Sequence, residues 1–187
     1  MRYLFAILLV ALVAGCASST SRTPPLTVGN VDLDRYQGTW YELARLPMFF
    51  QRKCVQSEAH YQRRDDGRVA VTNRCRMLNG DWQQATGEAW PQVEGETDKL
   101  WVRFDNWASK LLPWFTKGDY WILYLDEGYN MAVVGHPDRK YLWLLSRTPT
   151  VSTQTQAHLL AEAHKRGYDT SQLIWRLDDE TLERPLP

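Results

Sequence analysis

Across 187 residues the chain balances 22 Lys and Arg against 22 Asp and Glu, so it carries no basic footprint for nucleic acid. Nine Trp and nine Tyr are the compositional extreme. Such side chains bury large areas and keep one polar handle each, so they either line something or fill a large β core.

Arg2 and an unbroken apolar run over 3–14 open the chain. About twelve apolar residues is the length of a signal-peptide core and too short to span a bilayer as a helix. The run ends at Val13-Ala14-Gly15-Cys16, which resembles the lipobox of bacterial lipoproteins. That resemblance implies removal of residues 1–15 and lipidation of Cys16, with the acyl chains as membrane anchor. The alternative is an ordinary signal peptide whose Cys lies near the cut. Ala17-Ser18 place no Asp second, which in such lipoproteins resembles sorting to the periplasmic face of the outer membrane. Residues 16–29 then read as the lipidated Cys and a Ser/Thr/Pro-rich flexible tether. The remaining ~160 residues fit one domain over 30–180, followed by a tail at 181–187.

Strands dominate that domain. A first strand over 40–46 contains Trp40 and stops at Pro47. Segments 55–63 and 68–76 flank Asp65-Asp66-Gly67, a hairpin signal. A fourth strand covers 82–90. Over 100–104, Leu100, Val102 and Phe104 alternate with Trp101 and Arg103, the period-2 pattern of a half-buried strand. Segments 120–125 and 129–135 are joined by the tight turn Asp126-Glu127-Gly128, and 141–147 is the eighth strand. Eight short strands with hairpin-length connections suit closure into an up-and-down antiparallel barrel, which removes exposed edges. Beyond Pro149 the pattern turns helical: Ser152 is a candidate N-cap, Leu159, Leu160 and Ala163 make an apolar stripe, and Gly167 suits a C-terminal cap. One more short strand is expected over 173–177. The class is therefore all-β, an eight-stranded barrel with one helix packed outside.

Cys54 and Cys75 remain as an even pair flanking the first hairpin. In an exported protein they read as a disulfide, the alternative being two reduced core cysteines. No catalytic or metal-binding pattern appears. His60, His136, His158 and His164 have no ligand spacing, and His158 and His164, six apart, fall on different faces of a helix. No Gly-x-Ser-x-Gly, phosphate-binding loop or dinucleotide fingerprint is present, and Asp65-Asp66 belongs to a turn.

The blocks Arg35-Tyr36-x-Gly38-x-Trp40-Tyr41-Glu42, Gly87-Glu88-Ala89, Tyr120-Trp121-Ile122-Leu123, Asp126-x-x-Tyr129 and Tyr141-Leu142-Trp143-Leu144-Leu145-Ser146-Arg147 together resemble the lipocalins. Within them they are most similar to the bacterial outer-membrane lipocalins and apolipoprotein D. The resemblance implies a calyx whose closed end holds Gly38, Trp40 and Arg147 as structural residues. A guanidinium over an indole face is a sensible plug. It also places Trp143, Tyr61 and Asn73 in the ligand pocket. Strand alternation adds Leu100, Val102 and Phe104 as an apolar wall, and puts Glu42 and Ala44 inside with Trp40. Glu42 is either a ligand contact or the partner of a nearby Arg or Tyr, because a lone buried carboxylate is costly.

If Trp40 marks the closed end, the open mouth carries Phe49 and Phe50 in one loop and Trp107, Leu112, Trp114 and Phe115 in another. Cys54 and Cys75 lie beside it. These apolar loops read as a lid, as a membrane-touching rim or as segments folded back on the barrel. Arg52, Lys53, Lys110 and Lys117 at the same mouth could meet a headgroup phosphate or simply solvate the surface. The expectation is a lipid-anchored lipocalin that binds a fatty acid or lysophospholipid for storage or transport in envelope maintenance, with no cofactor and no metal. Family relatives imply a capacity to form a homodimer. Other readings stay open: a binder of a tetrapyrrole or steroid-like ligand, an isomerase of a hydrophobic substrate using Glu42, or an envelope interaction protein with a filled core.

Overall fold

Among the described residues nine strands arrange as β2-β3-β4-β5-β6-β7-β8-β1-β9, and an added β1–β2 pairing closes the first eight into a ring. The computed structural model describes residues 23–105 and 117–183. Cys16 and the mouth residues Trp107, Lys110, Leu112, Trp114 and Phe115 lie outside the described residues. The barrel strands are β1 (Gly38–Arg45), β2 (Cys54–Arg63), β3 (Val69–Met77), β4 (Trp82–Pro91), β5 (Lys99–Phe104), β6 (Lys117–Leu125), β7 (Met131–Gly135) and β8 (Leu142–Ser146). Each pairs antiparallel with its sequence neighbour, the up-and-down order that hairpin-length connections favour. Closure satisfies the edge hydrogen bonds that an open sheet would expose.

A short helix that the sequence pattern did not reveal, α1 (Leu33–Tyr36), precedes β1. Asp32 caps it by accepting hydrogen bonds from the backbone N–H groups of Asp34 and Arg35. Its buried Leu33 and Tyr36 join the barrel's interior cluster, so the helix stoppers one end.

Outside the barrel, α2 (Thr153–Lys165) starts where the Ser152 side chain accepts from the Thr155 N–H. Leu159 and Ala163 bury completely against Leu43, Leu123, Val133, Leu142 and Leu144 on the wall. Gly167 follows at φ +79°, the left-handed geometry of a helix stop. The two-residue β9 (Ile174–Trp175) hydrogen-bonds to Ala44 and Arg45, shorter than the 173–177 expected. A last short helix, α3 (Asp179–Glu183), lies in a stretch assigned no element from the sequence.

One expectation about β1 fails. The register slips between Glu42 and Ala44, so Glu42 faces Leu145 of the interior while Ala44 pairs with Leu144 and packs beneath α2. A bulge inserts one residue and inverts the alternation beyond it. Arg45, not Ala44, therefore turns inward, opposite Trp143.

Candidate functional site

The closed end is built from aromatic rings and one guanidinium. Trp40 is fully buried, and its indole N–H donates to the Tyr36 carbonyl at 2.9 Å. The Arg147 guanidinium lies 3.9 Å from the centre of the Trp40 ring. It donates to the carbonyls of Thr39 at 2.8 Å, Arg35 and Tyr129 at 3.1 Å, and Tyr36 at 3.2 Å. These bonds tie α1, β1 and the β6–β7 turn together, and the cation–π contact of the half-buried guanidinium adds about 1 kcal/mol. Gly38 sits at φ +91°, and a Cβ there would stand 3.4 Å from Arg147 Nη1. The position needs the left-handed backbone that only glycine adopts at no cost, and it leaves the guanidinium room.

Above this floor stand three tyrosines. Tyr120 shares hydrogen bonds with Tyr36 at 2.9 Å and with Tyr61 at 3.0 Å. Tyr36 stacks on both Trp40 and Tyr61. Burial pushes the Tyr61 phenol up to about 12 and raises Tyr36 and Tyr120 as well, so all three stay neutral. Tyr61 was expected in the pocket from the family resemblance. Tyr36 and Tyr120 belong to the family blocks without an assigned pocket role, although Tyr120 shares the inward parity of Ile122 on β6.

From floor to mouth, the inward residues of β3, β4 and β5 lose cover step by step. On β3, Val69 and Val71 are buried and Asn73 is half-buried; on β4, Ala89 is buried, Gly87 half-buried and Ala85 exposed. On β5, Leu100 is buried while Val102 and Phe104 are half-buried. This gradient describes a cup sealed below and accessible above. Asn73 lies between Ala59 and Ala85 of its neighbouring strands, and its Oδ1 is buried with no protein partner.

The opposite wall is filled near the mouth by a polar network. Arg45 Nη1 donates to Glu42 Oε1 at 3.0 Å, both side chains almost fully buried. Arg45 Nη2 donates to the carbonyls of Gln51 and Cys54 at 2.8 and 2.9 Å. The 3₁₀ turn Phe49–Gln51 drops Gln51 into the barrel, where its Nε2 donates to Glu42 Oε2 at 2.9 Å. Gln51 Oε1 accepts the Trp143 indole N–H at 3.1 Å. Burial raises the Glu42 carboxyl above its ordinary range, and the Arg45 guanidinium holds it partly back. Glu42 thus has a full set of protein partners. Trp143 is half-buried, its N–H engaged and its ring packed along the interior. Arg45 and Gln51 were missed because period-2 counting from Trp40 sends Arg45 outward and treats 47–53 as a mouth loop.

Cys54 and Cys75 form a disulfide between β2 and β3 near the open end, their Cα atoms 5.3 Å apart. Phe49 and Phe50 are exposed at the rim, Phe50 set edge-on to Tyr141 at 5.6 Å. The histidines lie apart: His158 meets the Tyr124 hydroxyl at 2.9 Å, and His136 sits between Asp119 and Asp138. Among the described residues no cluster of His, Cys, Asp and Glu could hold a metal.

An eight-stranded antiparallel barrel with a sealed floor, an accessible apolar wall and a few satisfied polar groups defines a calyx-type binding protein. The chain belongs to the lipocalin family. The lipocalin-like domain matches residues 31–178. It is 39% identical over 165 residues to the outer membrane lipoprotein Blc of Escherichia coli K12, covering 88% of this chain and 89% of that one. The Blc of Vibrio cholerae matches at 39% over 178 residues, 94% and 98% of the two chains. Bovine apolipoprotein D matches at 32% over 139 residues, 70% and 68%. Among solved structures, insecticyanin of the tobacco hornworm superposes with TM-score 0.63 at 19% identity, covering 86% of each chain. Lobster apocrustacyanin A1 does so with TM-score 0.62 at 17%, covering 85% and 92%. Those two likenesses carry the fold alone.

Proposed function

We propose that this lipocalin is a lipoprotein acylated at Cys16, held at the periplasmic face of the outer membrane, and that its barrel binds one single-chain acyl lipid, a fatty acid or lysophospholipid. The observation that carries the ligand reading is the cover gradient on β3–β5: Leu100 is sealed while Val102 and Phe104 above it keep access. A blind cup with an apolar wall suits one extended chain inserted tail first. Each buried CH₂ contributes about 0.8 kcal/mol before ordering costs are subtracted.

The polar groups fit the same orientation. Glu42 and Arg45 neutralise each other, so the upper wall offers no free charge to draw a headgroup inward. The neutral tyrosine hydroxyls are satisfied by one another. A headgroup then stays at the mouth, near Arg52 and Lys53. Anchorage is supported by the Val13-Ala14-Gly15-Cys16 motif and by relatives named outer membrane lipoproteins. The role that follows is reversible holding and transfer of lipid by equilibrium binding, without a chemical step.

The test is organic extraction of the purified protein followed by displacement with a fluorescent fatty acid. Bound acyl lipid and competition at micromolar concentration are expected. A barrel that neither copurifies with acyl lipid nor binds it at that level contradicts the proposal.

A further inference from the structure

The segment before the barrel is pinned along the outer wall, and its course has a direction. Val31 and Gly29 are held at the closed end, their N–H groups donating to Thr97 Oγ1 at 2.7 Å and Asp98 Oδ2 at 3.1 Å. Val28 N–H donates to the Ile122 carbonyl of β6 at 3.1 Å. Five residues earlier, the Thr23 carbonyl accepts from Arg139 Nη2 at 3.1 Å. Arg139 lies in the β7–β8 connection, at the open end, and is itself fixed by donating from Nε to the Arg166 carbonyl at 2.8 Å. Pro24-Pro25 stiffen the run between. The chain therefore reaches Thr23 beside the mouth and only then descends to the floor.

We infer that the open rim is a bilayer-docking surface, so that the barrel stands mouth-down on the membrane. The inference rests on the reading of Cys16 as the acylated residue. Six residues lie between Cys16 and Thr23, so seven Cα–Cα steps reach at most about 25 Å. The ten residues of β2, tilted by about 40°, make a wall roughly 25 Å tall. Standing the floor on the membrane would use the whole tether, fully stretched, merely to pass the wall. Standing the mouth on it uses none.

The surface agrees with the tether. Eight large apolar residues are exposed among the described residues, and six of them gather at the open end: Phe49, Phe50, Leu78, Trp82, Ile174 and Trp175. Phe49, Phe50 and Leu78 are 78%, 57% and 58% exposed and lie on two neighbouring connections of the same rim. Exposed Arg52 and Lys53 stand beside them, with Arg52 5.8 Å from the Phe49 ring centre. Aromatic and aliphatic tips flanked by cations match the boundary between acyl chains and anionic headgroups. The closed end carries one exposed large apolar residue among the described residues, Val93, and is otherwise lined by ion pairs, with Arg63 paired to Asp34 and Arg64 to Asp66. In this orientation a lipid passes between bilayer and cup without crossing water.

Spin labels at Leu78→Cys on the rim and Asp65→Cys at the floor test this, in the full-length acylated protein on vesicles of phosphatidylethanolamine and phosphatidylglycerol. The ratio of oxygen to water-soluble nickel accessibility is expected to be several-fold higher at position 78 than at 65. Adding Phe49→Ser and Phe50→Ser should bring the ratio at 78 down toward that at 65. Equal, water-like ratios on a chain whose intact mass shows an acylated Cys16 would overturn the docking while leaving the anchor in place. A mass showing unmodified Cys16 removes the tether and overturns both.

Discussion

The two ends of this barrel are made from the same residue types used in opposite ways. At the closed end, aromatic rings and an arginine bury one another: Trp40 under Arg147, with Tyr36, Tyr61 and Tyr120 sharing hydroxyl bonds. At the open end, Phe49 and Phe50 face outward, and Val102, Phe104 and Trp143 are only partly covered. The floor is satisfied within itself and serves stability. The mouth leaves apolar area uncovered and serves binding. Mutations should separate the two, since a floor residue contributes to folding and a wall residue to ligand affinity.

The largest effect expected is alkaline unfolding from the floor, where three buried phenols titrate against the fold together. Tyr61 is raised from 10.0 to about 12, so the folded protein keeps a phenol proton that the unfolded chain loses above pH 10. The stability it contributes is complete below pH 10 and drains away as pH climbs to 12, about 3 kcal/mol for this residue. Tyr36 and Tyr120 act in the same direction. Urea midpoints between pH 9 and 12 should fall steeply, and less steeply in Tyr61→Phe.

Next, Trp40→Ala should cost about 4 kcal/mol in urea unfolding, because it opens a cavity beneath Arg147 and strands that cation. Glu42→Leu should cost about 3 kcal/mol by leaving Arg45 buried without a counter-charge, and Glu42→Leu with Arg45→Met should recover most of it. Were Glu42 a ligand contact rather than a partner of Arg45, the double variant would stay fully folded yet lose lipid affinity. The smallest stability effect belongs to the wall. Phe104→Ala should cost under about 1.5 kcal/mol in folding while raising the Kd for a lysophospholipid about tenfold, read by fluorescence displacement.

The strand plan was readable where a strand alternates, as at Leu100, Val102 and Phe104, and where a hairpin carries its turn residues, as at Asp65-Asp66-Gly67 and Asp126-Glu127-Gly128. The meander order followed from short connections. The helix from Ser152 to Gly167 was equally legible from its cap, stripe and stop. What escaped notice depends on tertiary contacts. Nothing in Glu42-Leu43-Ala44-Arg45 announces a bulge except two adjacent apolar residues where one should face water, and both pack, Leu43 and Ala44 together beneath α2. A buried arginine was therefore invisible until the register was known. Gln51 escaped because a mouth loop gives no parity, so nothing marks the one side chain that turns inward. Helix α1 is only four residues long, too short for a period, and its Asp32 cap was the single local sign.

The claim that this barrel is an open cup for one acyl chain is tested most directly by native mass spectrometry. The purified protein would be incubated with lysophosphatidylethanolamine at micromolar concentration. The account predicts one lipid bound per chain, strongly reduced in Phe104→Asp and retained in Asp65→Asn. A bare chain mass in the unsubstituted protein would contradict it.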